Sequence, residues 1–237
     1  MRDGSEVLDP RLGRLPQVDP RSRAYPIRKV VAQSLPLRSY TWSVPVHLDQ
    51  GQEGSCVGHS FAVELAARPV VVQGVDHPKA VDIYHAAQKA DEWEGGSYPG
   101  AFPYYEGTSV LAGAKVLTEA GHYRSYHWAD NEADVARAVG YAGPVVIGIN
   151  WYSGMFDPDK DGYLHPTGEL AGGHAILVHS ISVKGGYYWL WNSWSAAWGL
   201  DGRAKLSRRD MAWLLAQNGE ACLPLRSKVK TPKEGQL

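Results

Sequence analysis

The stretch Asp49, Gln50, Gly51, Gln52, Glu53, Gly54, Ser55, Cys56 carries two glycines within six residues of a thiol. Glycine lets the backbone turn sharply, so the run reads as a tight loop that delivers Cys56 to the next element of the chain. That element is helical: Val57, Phe61 and Leu65 recur every fourth residue, and Pro69 closes the pattern after Arg68. Cys56 is therefore expected in the first turn of a helix. There the helix dipole, and any imidazolium nearby, would lower a thiol pKa and make it a nucleophile near neutral pH.

Outward from this loop the signals sort into two halves. A second helix is expected after Asp76 and Pro78, and a third from Thr108 or Ser109 through Leu111, Ala114 and Leu117 to Gly121. A short helix at Glu132 to Val139 precedes apolar runs at Val145 to Ile149, Ala175 to Val183 and Tyr187 to Trp191, the last two joined across Gly185 and Gly186. Ser207 and Asp210 form a capping box for a late helix that Asn218 and Gly219 end. A helical lobe at about 50–140 and a strand-rich lobe at about 141–225, sharing a cleft, make one unit at 41–225.

Residues 1–40 hold five prolines among many arginines and break every periodicity. They are expected to form an extended arm. A solvated leader is the preferred reading, ahead of a strap across the body or a docking segment for an assembly partner. Residues 226–237 are expected to be a frayed basic tail.

With 237 residues, 44% of them hydrophobic, and nine tryptophans, the chain can bury a sizeable core. A net charge of -1 excludes a general nucleic-acid field, and most tryptophans are assigned to core. Two cysteines are too few for a disulfide framework and suit a reducing compartment. No export signal or run approaching about 18 apolar residues is visible, so no membrane partner is expected and the location expected is cytoplasmic, or virion-associated for a phage-borne gene. Composition leaves the oligomeric state open.

Two further segments complete the candidate site. Gly172, Gly173, His174, Ala175 to Val178 places a histidine at the head of an apolar strand. Trp191, Asn192, Ser193, Trp194, followed by Trp198 and Gly199, places an amide among large rings, where it could orient an imidazole shielded from water. Taken alone, such a histidine is more often structural.

Together, DQGQEGSC, GGHA and WNSWSAAWG resemble the papain family of cysteine peptidases, in that family's order of Cys, His and Asn, over roughly residues 40 to 225. The resemblance implies an α+β, two-lobed fold with a helical lobe and an antiparallel, barrel-like strand lobe. It also implies roles. Cys56 would attack the scissile carbonyl as a thiolate paired with protonated His174, Asn192 would orient the imidazole, and Trp194 would cover that contact. Gln50 and the Cys56 amide would form the oxyanion hole. Gly107, before Thr108, would pair with an extended peptide. The implied substrate is a peptide or protein, with no metal and no organic cofactor. The alternatives are a non-catalytic papain-fold component of an assembly such as a virion, or a transpeptidase or amidase using the same acyl-enzyme.

Departures are visible too. Glu53 stands where the family commonly has a disulfide-bonded cysteine. Val57 and Gly58 replace an aromatic, which would open the pocket wall, and His59 is expected to be packed or partly solvated rather than to tune the thiol. The family's long helical inhibitory propeptide is not expected from the Pro-rich arm. Asp157 to Gly162 imitates the start of a calcium loop, but Gly168 stands where the twelfth-position glutamate should be, so a polar loop is expected.

Overall fold

A computed structural model describes residues 9–17 and 19–226; the expected tail beyond Arg226 lies outside the described residues. Helices α1 (Cys56–Ala66), α2 (His77–Ala90) and α3 (Val110–Glu119) come first, then β2 (Tyr123–Trp128) and α4 (Glu132–Tyr141). Strands β3 (Val145–Tyr152), β4 (Leu170–Ser182), β5 (Tyr187–Trp191) and β6 (Arg203–Ser207) follow, with α5 (Arg208–Ala216) and β7 (Glu220–Arg226) last; a two-residue β1 (Tyr40–Thr41) precedes them all. Helix starts follow local chemistry. Asp76 and Ser109 accept from the amides of Lys79 and Ala112, and Ser207 from that of Asp210, each closing one unpaired donor of the first turn.

The ladders between the named strands are all antiparallel, in the order β2-β7-β3-β4-β5-β6, with β1 on β4. The α+β expectation holds, while the strand lobe is an open sheet and not a closed barrel. Strand β2 lies in the sequence's helical half, yet its partner is β7 (Tyr126 opposite Pro224, Trp128 opposite Cys222). Alternation along β3 and β4 divides the core in two. Val146, Ala175 and Leu177 pack with α1 and α3, whereas Ile147, Ile149, Ile176 and Val178 pack on the other face with α4 and α5. A strand buried on both faces reads as a continuous apolar run, which is how the sequence shows it.

Over its described residues the arm is not a solvated leader. Leu12, Ile27 and Val31 are buried, and short 3-10 turns occupy Pro20–Ala24 and Ile27–Lys29. Gly58 does not open the cleft either. It faces α2, where a Cβ would lie 2.3 Å from the Ala80 carbonyl oxygen, so the glycine sets the distance between α1 and α2. Among the described residues no helix is long and apolar enough to cross a membrane.

Candidate active site

Cys56 is the first residue of α1, and its Sγ accepts from the Ala175 amide at 3.4 Å. Because Ala175 follows His174 on β4, that contact ties the thiol to the strand bearing the imidazole. His174 does not open its strand as the sequence suggests; β4 begins at Leu170, and His174 is paired with Ile149. Its Nε2 shares a 2.8 Å hydrogen bond with Asn192 Oδ1, which also accepts from the Ser193 amide at 2.9 Å. Nδ1 of His174 makes no hydrogen bond among the described residues.

Two indoles enclose the imidazole. Trp194 lies 4.7 Å away, and Trp151 meets it edge-on at 4.8 Å. Trp194 is named by its motif, but Trp151 is not: at the end of an apolar strand a tryptophan reads as core, and it is core as well. Gln50 is held at both ends. Its backbone N–H donates to the Ser193 carbonyl at 2.9 Å and its side-chain Oε1 accepts from Ser193 Oγ at 2.6 Å, leaving Nε2 as the donor toward the cleft.

The cleft is filled by the chain's own arm. Gln50 Nε2 donates to the Arg11 carbonyl at 3.0 Å as well as to that of Glu53 at 2.6 Å. The Gly13 amide lies near enough to Cys56 to favour its thiolate, and the Arg11 guanidinium sits 4.4 Å from the Trp194 ring. Downstream, the Thr108 amide donates to the Gly13 carbonyl and the Leu15 amide to the Thr108 carbonyl, both at 2.9 Å, while the Arg14 amide donates to Gly173. The arm's strand-like pairing thus falls on Thr108. The Gly107 amide is taken by the Tyr84 hydroxyl at 2.8 Å and its carbonyl by Gln88 at 3.1 Å.

Enclosure sets the electrostatics. Burial pushes the Cys56 thiol up to about 11, against the lowering effect of the Ala175, Gly13 and Val57 amides. Burial likewise brings His174 down to about 4, against the raising effect of Asn192. The resting pair is therefore neutral, because desolvating both charged forms outweighs the helix-end field that the sequence suggests. His59 is packed, bonded to Ser55 and His77. Asp159, in the calcium-like loop, accepts from the Asp161 and Tyr163 amides and pairs with His165. Cys56 and Cys222 are both free thiols.

The family model for papain family cysteine proteases matches residues 73–220, a span that holds His174 and Asn192 and begins after Gln50 and Cys56. A cathepsin B-like cysteine proteinase of Schistosoma japonicum is 35% identical over 91 residues, 37% of this chain and 27% of that one. Cathepsin B-like protease 1 of Arabidopsis thaliana is 28% identical over 144 residues, 57% of this chain and 38% of its own. These matches span less than half the length of either relative. Among solved structures, xylellain, a cysteine protease from Xylella fastidiosa, superposes with a TM-score of 0.66 at 17% identity, covering 92% of this chain and 96% of that one. A digestive procathepsin L 3 of Tenebrio molitor larval midgut gives 0.57 at 18% identity, covering 92% and 77%. At such identities the likeness is one of fold.

Proposed function

This chain belongs to the papain family of cysteine proteases, and we propose that it is an endopeptidase that cleaves peptide bonds through a covalent acyl-enzyme on Cys56. The observation that carries the reading is the state of His174. One ring nitrogen is held by Asn192 at 2.8 Å, the other is uncommitted, and the residue after it touches the Cys56 sulfur. An imidazole so held has one nitrogen to exchange a proton with and a fixed direction to do it in.

The cycle uses these positions directly. With substrate in place of the arm, Cys56 gives its proton to Nδ1 of His174 and attacks the scissile carbonyl. Gln50 Nε2, its orientation set by Ser193, and the Cys56 amide receive the oxyanion. The tetrahedral adduct collapses, the C–N bond breaks, and His174 returns the proton to the departing amine. Water then gives a proton to Nδ1 and attacks the thioester, which releases the carboxylic acid and restores the thiol. Asn192 keeps the ring in register, and Trp151 and Trp194 keep bulk water off the His174–Asn192 bond. Thiol and imidazole supply this chemistry without a metal or an organic cofactor.

The arm lies with the wrong polarity to be cut. A leaving amine must depart beside His174 and Trp194, which leaves the acyl side of a substrate toward Thr108. The arm runs the other way, Arg11 over Trp194 and Leu15 against Thr108, and offers the sulfur an N–H from Gly13 instead of a carbonyl carbon. The described form is thus a self-occluded one.

The test is intact-mass analysis after exposure to a peptidyl epoxide, on the parent chain and on Gly13→Leu, whose side chain displaces the arm. Labelling of Cys56 that depends on His174, followed by cleavage of a peptide library, is expected. A folded, reduced Gly13→Leu chain that neither labels nor cleaves would rule out the peptidase.

A further inference from the structure

The peptide unit between Glu53 and Gly54 is gripped on both sides. Its carbonyl accepts from Gln50 Nε2 at 2.6 Å, and its N–H donates to Oε2 of Glu106 at 3.1 Å. The other oxygen of that carboxylate, Oε1, accepts from the Tyr104 hydroxyl at 2.7 Å, so each oxygen has its own donor. The approach is close because residue 54 is a glycine. A Cβ there would lie 3.0 Å from Cβ of Glu106 and 3.2 Å from both its Oε2 and the Gly107 amide nitrogen.

A trans peptide points its C=O and N–H in opposite directions, so fixing one fixes the other. Glycine leaves the unit free to rotate, and no disulfide braces the loop, since both cysteines are free thiols. Turned over, the unit would set the Gly54 N–H against the Gln50 amide hydrogens and the Glu53 carbonyl against the carboxylate, two repulsive pairs. The carboxylate also polarises the unit it holds, which makes the Glu53 carbonyl a better acceptor for Gln50. Nε2 has two hydrogens. One is taken by Glu53, and the other reaches the Arg11 carbonyl at 3.0 Å, in the cleft that a substrate would occupy.

We infer that Glu106 is a positioning residue for the oxyanion donor: by holding the Gly54 N–H it fixes the Glu53 carbonyl, which takes one hydrogen of Gln50 Nε2 and aims the other at the scissile oxygen. Glu106 touches neither the sulfur nor the imidazole and acts through the peptide unit alone. It stands two residues before Thr108, whose amide and carbonyl pair with the arm. One short segment thus both receives an extended chain and holds the oxyanion donor in aim. This role rests on the proposed peptidase reading and adds to it a residue that serves the transition state without contacting it.

Two measurements on the full chain decide it. In the Gly13→Leu background, Glu106→Ala is expected to lower kcat about tenfold with KM little changed, and Glu106→Gln, which keeps an acceptor, to restore most of it. Glu106→Met takes the place of Glu106→Ala if the latter does not fold. A peptide aldehyde, whose adduct puts an oxygen before Gln50, is expected to weaken by the same factor, whereas dipyridyl disulfide, attacked at sulfur, should label Cys56 at an unchanged rate. Adding Glu106→Ala to Gln50→Ala should cost nothing more. Additive losses, a loss confined to KM, or equally slowed disulfide labelling overturns the role. In the parent chain, amide hydrogen exchange read by NMR is expected to be slow at Gly54 and faster in Glu106→Ala; equal rates overturn it as well. Gly54 protection that depends on Glu106 in a Gly13→Leu chain that cleaves nothing sinks the peptidase reading and this role with it. Cleavage indifferent to Glu106 leaves the peptidase standing and removes only the positioning.

Discussion

Gly13 passes so close over Gly54 that a Cβ on Gly13 would lie 1.8 Å from the Gly54 carbonyl oxygen. Any side chain at position 13 must therefore lift the arm off the nucleophile. Gly13→Leu is expected to accelerate epoxide labelling of Cys56 by about tenfold or more relative to the parent, read by mass spectrometry over time, since freeing the site at a cost of roughly 1.4 kcal/mol is a factor of ten in its population. An unchanged rate would mean that the arm does not guard the sulfur.

The neutral resting pair has a pH signature. With the thiol up at about 11 and the imidazole down at about 4, both groups of the covered site are uncharged at every pH between those values. Iodoacetamide labelling of the parent is expected to be very slow at neutral pH, to rise with pH without a plateau, and to become appreciable only in alkali. In Gly13→Leu, where water and the imidazolium can reach the sulfur, the climb is expected several pH units lower, as pH rises through the range where His174 still holds a proton. Coincident profiles would show that burial is not what sets the thiol.

Acid should weaken the fold. His59, His174 and His179 are each brought down to about 4 by burial. Unfolded, they take up protons near 6.5, so their contribution is intact above that value and lost as pH falls through it toward 4. One such histidine accounts for about 3 kcal/mol at the end of that window. The urea midpoint is expected to drop steeply between pH 7 and 4.5, and a constant midpoint would contradict the burial of neutral imidazoles.

Gln50→Ala removes an outward donor and leaves Ser193 Oγ without the amide oxygen it meets at 2.6 Å. In the Gly13→Leu background kcat is expected to fall by about 100- to 1000-fold while the far-UV circular dichroism spectrum is retained. A loss confined to KM would assign Gln50 to binding alone.

Far from the cleft, Glu64 on α1 joins the two ends of the body. Its carboxylate accepts from Tyr123 Oη at 2.6 Å and from Arg226 Nε at 3.2 Å, with the paired side chains of Glu64 and Arg226 2% and 4% exposed. Glu64→Ala strands a buried guanidinium and is expected to cost about 3–5 kcal/mol in denaturant unfolding. Glu64→Gln, which keeps an acceptor, is expected to lose less, and equal losses would mean that charge pairing is not what matters there.

The sequence announces Gln50, Cys56, His174 and Asn192 only as a set, through three motifs that together resemble one family, since a strand-borne histidine alone is more often structural; the fold bonds His174 to Asn192, ties Cys56 to the same strand through Ala175, and ties Gln50 to the residue after Asn192. Trp151 and Glu106 are not announced. One is indistinguishable from core within an apolar run, and the other is an ordinary glutamate until the Gly54 amide is seen beside it. The arm escapes because it is fastened by scattered single residues, Leu12, Ile27 and Val31, and by backbone hydrogen bonds that leave no periodic trace. Strand β7 carries Pro224 and β2 carries Arg124 and Ser125, so neither has the unbroken apolar character that exposes β3 and β4.

The reversed arm also governs how the enzyme would respond to concentration. A segment joined to the body and seated in its own cleft is a competitor whose effective concentration is fixed by the tether and cannot be diluted away. Dilution would leave its hold intact, whereas abundant substrate would displace it. The occlusion would then appear as an inflated KM with kcat untouched, a filter that keeps the cleft shut to scarce peptides and yields to plentiful ones.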